Sequence, residues 1–223
     1  MTFSLLGRCE RSGRLGIVVS SSSPAVAARC AHVRPRIGVA DSQNVTDPRL
    51  GPLLLDELAA GRGARGAIDA VVAGAPHVEH RQLLVLGTAS DGAAYTGAAA
   101  LGVSGHRLAA GCAAAGNLLA DESVLDALMD EFAATGEHEL GDRLIAALRA
   151  GARAGGEAGP VHSAGLVMTG EVAWPIADLR VDWHDDPIEE LAAVWDVYRP
   201  QLDDYISRAL DPTAAPAFGV PGE

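Results

Sequence analysis

The sequence predicts a mixed α/β protein in which antiparallel sheets are layered against helices. Three observations carry that expectation. Short extended runs come in hairpin-like clusters, amphipathic helices come in pairs, and the two do not alternate strictly as a doubly wound parallel sheet requires. Aromatic residues make up only 4% of the 223, although 48% are hydrophobic. Alanine, glycine and valine must therefore fill the core, with helices and strands packed close together.

The chain opens with a weakly alternating run over residues 2–8, followed by the turn-rich Cys9-Glu10-Arg11-Ser12-Gly13 and the apolar, β-branched run 15–19. Two short runs across a glycine-containing turn read as a β-hairpin. A third extended piece, 37–40, leads into the polar Asp41-Ser42-Gln43-Asn44. Leucines at 50, 53, 54, 55 and 58 mark a helix over 49–60 that Gly61 ends, and a second helix follows over 64–72. Strand character returns at 81–86 and 93–96, with Ser90-Asp91-Gly92 as the intervening turn, and again at 108–114. Helices are expected over 122–134 and 140–154, then a glycine-rich linker at 155–159 and strands at 164–168 and 178–181. A long helix over 187–210 carries a Trp195/Tyr198 face; Asp186 before Pro187 resembles an N-cap followed by proline at the first helical position. The Pro-, Ala- and Gly-rich tail from Asp211 reads as disordered, so one domain, 1–210, precedes a short tail, 211–223.

The net charge is −12, which disfavours nucleic acid and anionic membranes as partners, because both need clustered basic residues. All seventeen basic residues are arginine. Without lysine there can be no pyridoxal Schiff base, no Walker-type phosphate lysine and no lysine base. Three scattered cysteines make neither a disulfide framework nor a zinc ribbon. The sequence opens on no signal-peptide pattern and holds no run of about 18 apolar residues, so a cytoplasmic location is expected.

The sharpest local feature is Met1-Thr2-Phe3-Ser4. A small second residue permits removal of the initiator, which would leave Thr2 with a hydroxyl and a free α-amine. With a pKa of about 7.7 to 8 that amine can take the proton of its own hydroxyl as the oxygen attacks a carbonyl. Many chains begin Met-Thr without such chemistry; a terminus held in a strand is what makes the reading worth pursuing. Ser20 to Ser23 end the second strand as a polar loop or as the lining of a small pocket. The side-chain amides of Gln43-Asn44 and Gly116-Asn117 stand at strand ends, where they could donate to an oxyanion or simply make turns.

Other patterns fail their context. His77 and His80 lie three apart but not on a helix, so they make no zinc-protease pair. Gly61 to Gly66 matches G-x-G-x-x-G by letter but follows a helix, not a strand. His106 and His162 read as surface or hydrogen-bonded loop residues. No Gly-x-Ser-x-Gly elbow is present. Neither a cofactor nor a metal is expected.

Taken together, several elements resemble one bacterial family. They are Thr2-Phe3-Ser4, the run from Arg14 to Ser20, Ile37 to Ala40 continuing to Gln43-Asn44 and Asp47-Pro48, and Gly51-Pro52. His80-Arg81-Gln82, Tyr95-Thr96-Gly97, Gly105-His106, Gly116-Asn117-Leu118-Leu119-Ala120 and Asp178 to Asp182 follow in the same order. The family is called domain of unknown function 1028 and is placed among the N-terminal-nucleophile (Ntn) hydrolases. The sequence departs from it at Asp41-Ser42-Gln43, where an Ala-Thr-Gln run is expected. The resemblance implies a four-layer αββα sandwich with Thr2 as nucleophile and base. Carried over by position, Asn44 and Asn117 join Thr2 as catalytic candidates, and Ser20, Gln43, Thr96, Gly97 and His106 line a substrate pocket. The expected activity is hydrolysis of a small amide or related C–N bond by an acyl-enzyme on Thr2. The acidic surface favours a cationic or neutral substrate, and a homodimer or larger assembly is expected. The competing expectation is a catalytically silent protein that keeps the sandwich and binds a small ligand.

Overall fold

The computed structural model describes residues 1–88 and 92–219. In chain order its elements are β1 (Thr2–Arg8), β2 (Leu15–Ser21), α1 (Val26–Cys30), β3 (Ala31–Arg34), β4 (Gly38–Asn44), α2 (Leu50–Ala59) and α3 (Ala64–Gly74). Then come β5 (Arg81–Gly87), β6 (Ala93–Thr96), β7 (Val103–Ala109), β8 (Cys112–Leu119), α4 (Ser123–Ala134) and α5 (Leu140–Arg153). The chain closes with β9 (Ser163–Thr169), β10 (Ala177–Val181), α6 (Pro187–Tyr198) and α7 (Leu202–Leu210).

Two sheets form, ordered β10-β9-β2-β1-β8-β7 and β3-β4-β5-β6, and every neighbouring pair is antiparallel. Because successive strand side chains point to opposite faces, each sheet buries two different sets. Phe3, Leu5 and Val18 of the larger sheet pack with α4, α5 and α6 through Leu128, Leu144 and Leu191. Ala40, Leu83 and Val85 of the smaller sheet pack on α2 and α3 through Leu54 and Ile68. The inner faces meet through Leu6, Ile17, Val39, Leu84, Leu86, Ala113 and Ala115. The result is the expected αββα sandwich, of the Ntn-hydrolase-like class.

The alanine-rich inner layer does what the composition requires: small side chains let the two sheets approach closely. Glycines act likewise where an element crosses another. At Gly51 a Cβ would lie 2.1 Å from the His32 ring, so α2 closes on β3 only with glycine there.

The elements differ from the sequence expectation in four places. The single strand expected at 108–114 is a hairpin, β7 and β8, whose turn uses Gly111 at φ +70°. An alanine-glycine run offers no apolar/polar alternation to reveal that break. The helix expected over 187–210 is interrupted by a short 3₁₀ turn at Arg199–Gln201 containing Pro200, because proline cannot donate to the preceding turn. Asp186 does precede α6 with proline next, but its side chain makes no capping bond. The short α1 and β3 have no counterpart in the expectation. The turn expected at Ser90-Asp91-Gly92 lies outside the described residues except for Gly92. Residues 211–219 lie beside α7, where Arg208 donates to the carbonyls of Pro216 and Ala217.

Candidate functional site

Thr2 begins β1, a central strand of the larger sheet, and pairs with Asn117 of β8. Strand alternation puts Thr2, Ser4 and Leu6 on the inner face, with Asn117 opposite Thr2 and Ala115 opposite Ser4. Thr2 is only 4% exposed. Its hydroxyl lies 3.4 Å from Ser21 Oγ and donates to the Met1 carbonyl at 2.5 Å. Ser21 also donates to that carbonyl and lies 2.8 Å from Ser23 Oγ. The carbonyl that Thr2 carries on its own nitrogen is thus gripped by two hydroxyls.

Glu157, 5% exposed, receives the Ser22 N–H at 3.0 Å. Burial pushes its carboxyl up to about 7, against the opposing pull of the positive amino terminus nearby and the hydrogen bonds from Ser22.

Behind Thr2 a buried polar network crosses the inner layer. Gln82 of β5 is its hub and is fully buried. Its Nε2 donates to the Gly116 carbonyl at 2.8 Å and the Gly105 carbonyl at 3.2 Å. Carbonyls accept only, so these contacts fix the amide's orientation. Its Oε1 must then accept, and it does so from Asn117 Nδ2 at 2.9 Å and Gln43 Nε2 at 3.2 Å. Asn117 is left with a buried Oδ1 that has no partner among the described residues. The amide therefore turns its acceptor, not its donor, away from the hub.

The same counting reaches Asp41. Ser4 Oγ lies 2.6 Å from Asp41 Oδ2 and 3.0 Å from Gln43 Oε1. One hydroxyl hydrogen cannot serve both acceptors. With Asp41 protonated, its hydroxyl donates to Ser4 and Ser4 donates to Gln43, completing the chain. The environment agrees: Asp41 is fully buried, and burial pushes its carboxyl up to about 7, although Ser4 and the Ser42 backbone would favour its ionised form. Burial drives the neighbouring Cys30 thiol up to about 12, with Asp41 adding to the effect. At the far end, Thr96 Oγ1 sits 2.9 Å from His106 Nδ1, and burial followed by Arg107 holds His106 below its ordinary value.

Of the residues singled out from the sequence, Gln43, Thr96, His106 and Asn117 converge on this network, and Thr2 borders it as the strand partner of Asn117. Three do not. Ser20 pairs with Phe3 on the opposite face of the sheet and bonds the Ser163 carbonyl at 3.0 Å. Ser21, one residue on, occupies the place expected for it. Asn44 takes a left-handed φ of 73° and ties loops together, donating to His80 O at 2.6 Å and accepting from Leu101 N–H at 3.3 Å; its turn chemistry prevails. Gly97 serves close packing: a Cβ there would lie 2.2 Å from the Glu79 carbonyl oxygen. Gly97→Ala should cost about 1–3 kcal/mol of stability by overpacking against rigid backbone, and chemical denaturation would measure it. An unchanged midpoint would show that the 78–80 turn yields freely.

Ser4, Asp41, Gln82 and Glu157 are not among the sequence candidates, and Ser21 is one only as part of the run Ser20 to Ser23. The period-two spacing of Thr2 with Ser4, and of Asp41 with Gln43, is the signal that could have found four of the inner-face polar positions. Among the described residues no group of three His, Cys, Asp or Glu is placed to hold a metal, and no helix is long and apolar enough to cross a membrane.

A sandwich of this order, headed by a hydroxyl-bearing strand residue facing the inner layer, belongs to the Ntn-hydrolase-like fold class. The chain is a member of the family of unknown function DUF1028, whose family model matches residues 2–191. A DUF1028 protein of Silicibacter pomeroyi, known from its crystal structure, is 28% identical over 88% of each chain with a TM-score of 0.82. Anbu from Hyphomicrobium sp. strain MC1 is 11% identical over 98% of this chain and 100% of its own, with a TM-score of 0.50, a likeness of fold alone. No curated protein matches the chain.

Proposed function

We propose that this protein, once Met1 has been removed, is an N-terminal-threonine hydrolase of a small amide or related C–N bond. The observation that supports it is the position of the Thr2 hydroxyl: at the head of a central strand, on the inner face, touching the carbonyl attached to its own nitrogen. A nucleophile needs a fixed position and a nearby base, and a threonine with a free amine carries both. Thr2 Oγ1 would add to the substrate carbonyl carbon while the α-amine takes its proton and returns it to the departing amine. The resulting ester on Thr2 would be cleaved by water, whose proton the same amine removes, releasing the acid and restoring the hydroxyl. Ser21, already donating to a carbonyl oxygen at this spot, would hold the oxyanion. Asn117, its acceptor unpaired, would receive an N–H from the α-amine or the substrate. Glu157 would steady the ammonium form of the terminus.

The burial of Thr2 beneath Met1 favours a second reading if Met1 stays in place: a silent protein of the same fold that binds a small ligand. Intact-mass analysis of protein purified from cells, followed by a β-lactone probe, separates the two. The hydrolase reading expects a chain lacking Met1 that gains one probe at Thr2. Thr2→Ala should gain none and should lose at least about a thousandfold in amide turnover. Retention of Met1 in all molecules, or equal turnover by Thr2→Ala, would end the proposal.

A further inference from the structure

At the other end of β1 from Thr2 lies a cavity of about 550 Å³ between the β1–β2 turn, the β7–β8 hairpin and helices α4 and α5. Its volume is within the range of small-molecule sites. Cys9, Cys112, Met129 and Phe132 give it an apolar wall, and Arg143 of α5 stands among them. Arg143 is only 8% exposed. Its guanidinium lies over the Phe132 ring at 3.9 Å, and its Nη2 donates to the Phe132 carbonyl at 2.9 Å. That is its single hydrogen bond among the described residues; Nε is buried without a partner. No carboxylate among the described residues forms an ion pair with it. A charge withdrawn from water without a counter-ion is costly, and burial accordingly holds this guanidinium below the usual arginine value.

We propose that this cavity binds a small carboxylate with an apolar body, the carboxylate pairing with Arg143 and the body lying along Met129 and Cys112. Charge and burial together favour a monoanion. Of the other two arginines at the wall, Arg11 is paired with Glu137 at 3.4 Å and Arg8 donates to the Thr88 carbonyl at 3.2 Å. Glu10 and Asp130 line the same cavity and would repel a second negative charge. A phosphate dianion therefore meets two cations without an ion pair, Arg8 and Arg143, of which only Arg143 is buried, against two carboxylates, whereas a carboxylate is matched by Arg143 alone. The planar guanidinium suits a two-oxygen acceptor.

The test is titration calorimetry and thermal shift on the purified full chain with phenylacetate, benzoate and hexanoate. Phenylacetamide serves as the neutral control of the same shape, and inorganic phosphate as the control without a body. At least one carboxylate should bind saturably and raise the melting temperature, with both controls at least tenfold weaker. Arg143→Met should weaken the carboxylate at least tenfold, and Thr2→Ala should leave it unchanged. If Arg143→Met does not fold, Ala133→Trp, which fills the cavity from its exposed wall, should abolish binding instead. Equal binding of phenylacetate and phenylacetamide, equal binding of phosphate, no binding by any of the three acids, or undiminished binding by the variant that folds overturns the proposal. Loss of binding in Thr2→Ala would move the ligand to the other end of the strand and equally overturn it.

Discussion

As pH rises from about 4 to about 7, the wild-type protein should lose unfolding free energy relative to Asp41→Asn. The sign follows from proton counting. In the unfolded chain Asp41 releases its proton near its ordinary value of 3.8, whereas in the folded protein it keeps the proton up to about 7. Between those limits the native state binds more protons than the unfolded one, so stability is lost with rising pH. A difference of about three pH units corresponds to roughly 4 kcal/mol from this residue, to order of magnitude. Glu157, raised from 4.5 to about 7, acts in the same direction and within the same window, whereas His32 and His106, held below their ordinary value by burial, act against it, so the difference between variant and wild type is what reports Asp41. Asparagine has an N–H where the protonated carboxyl has its O–H. It can donate to Ser4 as the acid does and leave the order of the network intact. Asp41→Asn should therefore be at least as stable as wild type at pH 8. A difference between variant and wild type that stays constant through this window, or one that moves the other way, would mean that Asp41 is ionised in the fold.

Gln82→Met should produce the largest loss of stability among the network residues, on the order of 4 kcal/mol. Methionine nearly matches glutamine in length, so little cavity opens and the loss reports polar groups left unpaired. Asn117 Nδ2 and Gln43 Nε2 both lose their acceptor, and the Gly116 and Gly105 carbonyls lose a donor. Each buried polar group left without a partner costs about 1–3 kcal/mol. The sum exceeds the expected loss because relaxation and water entry restore part of it. Urea unfolding would measure the change; a loss below about 1 kcal/mol would show that the hub is dispensable. The substitution should also unfix Asn117, so reaction of Thr2 with a β-lactone should slow even in protein that remains folded.

Much of the layered architecture was legible because its long elements are strongly periodic. The leucines of α2 and the apolar runs of β2, β5 and β9 announce themselves at any register. What escaped is short or uniform: α1 and β3 are five and four residues long, and the β7–β8 hairpin runs through alanine and glycine. The site was harder for a different reason. Thr2 stood out as a terminal hydroxyl, but deciding between Ser20 and Ser21 requires the register of β2 against β1. A shift of one residue turns every side chain to the other face. Gln82 was invisible as a hub because its partners, Gln43, Gly105, Gly116 and Asn117, come from three other strands. Gln43 meets it across the β4–β5 register, but only the closing of one sheet on the other brings the rest to it.

The grip of Ser21 and Thr2 on the Met1 carbonyl also bears on how the protein should be handled. Any peptide fused ahead of residue 1 keeps acylated the Thr2 nitrogen whose free amine the chemistry would need, so a purification handle at that end would yield folded but inert material. The opposite terminus, beyond α7, is the place for an affinity label, and material made that way is the fair sample for a substrate screen.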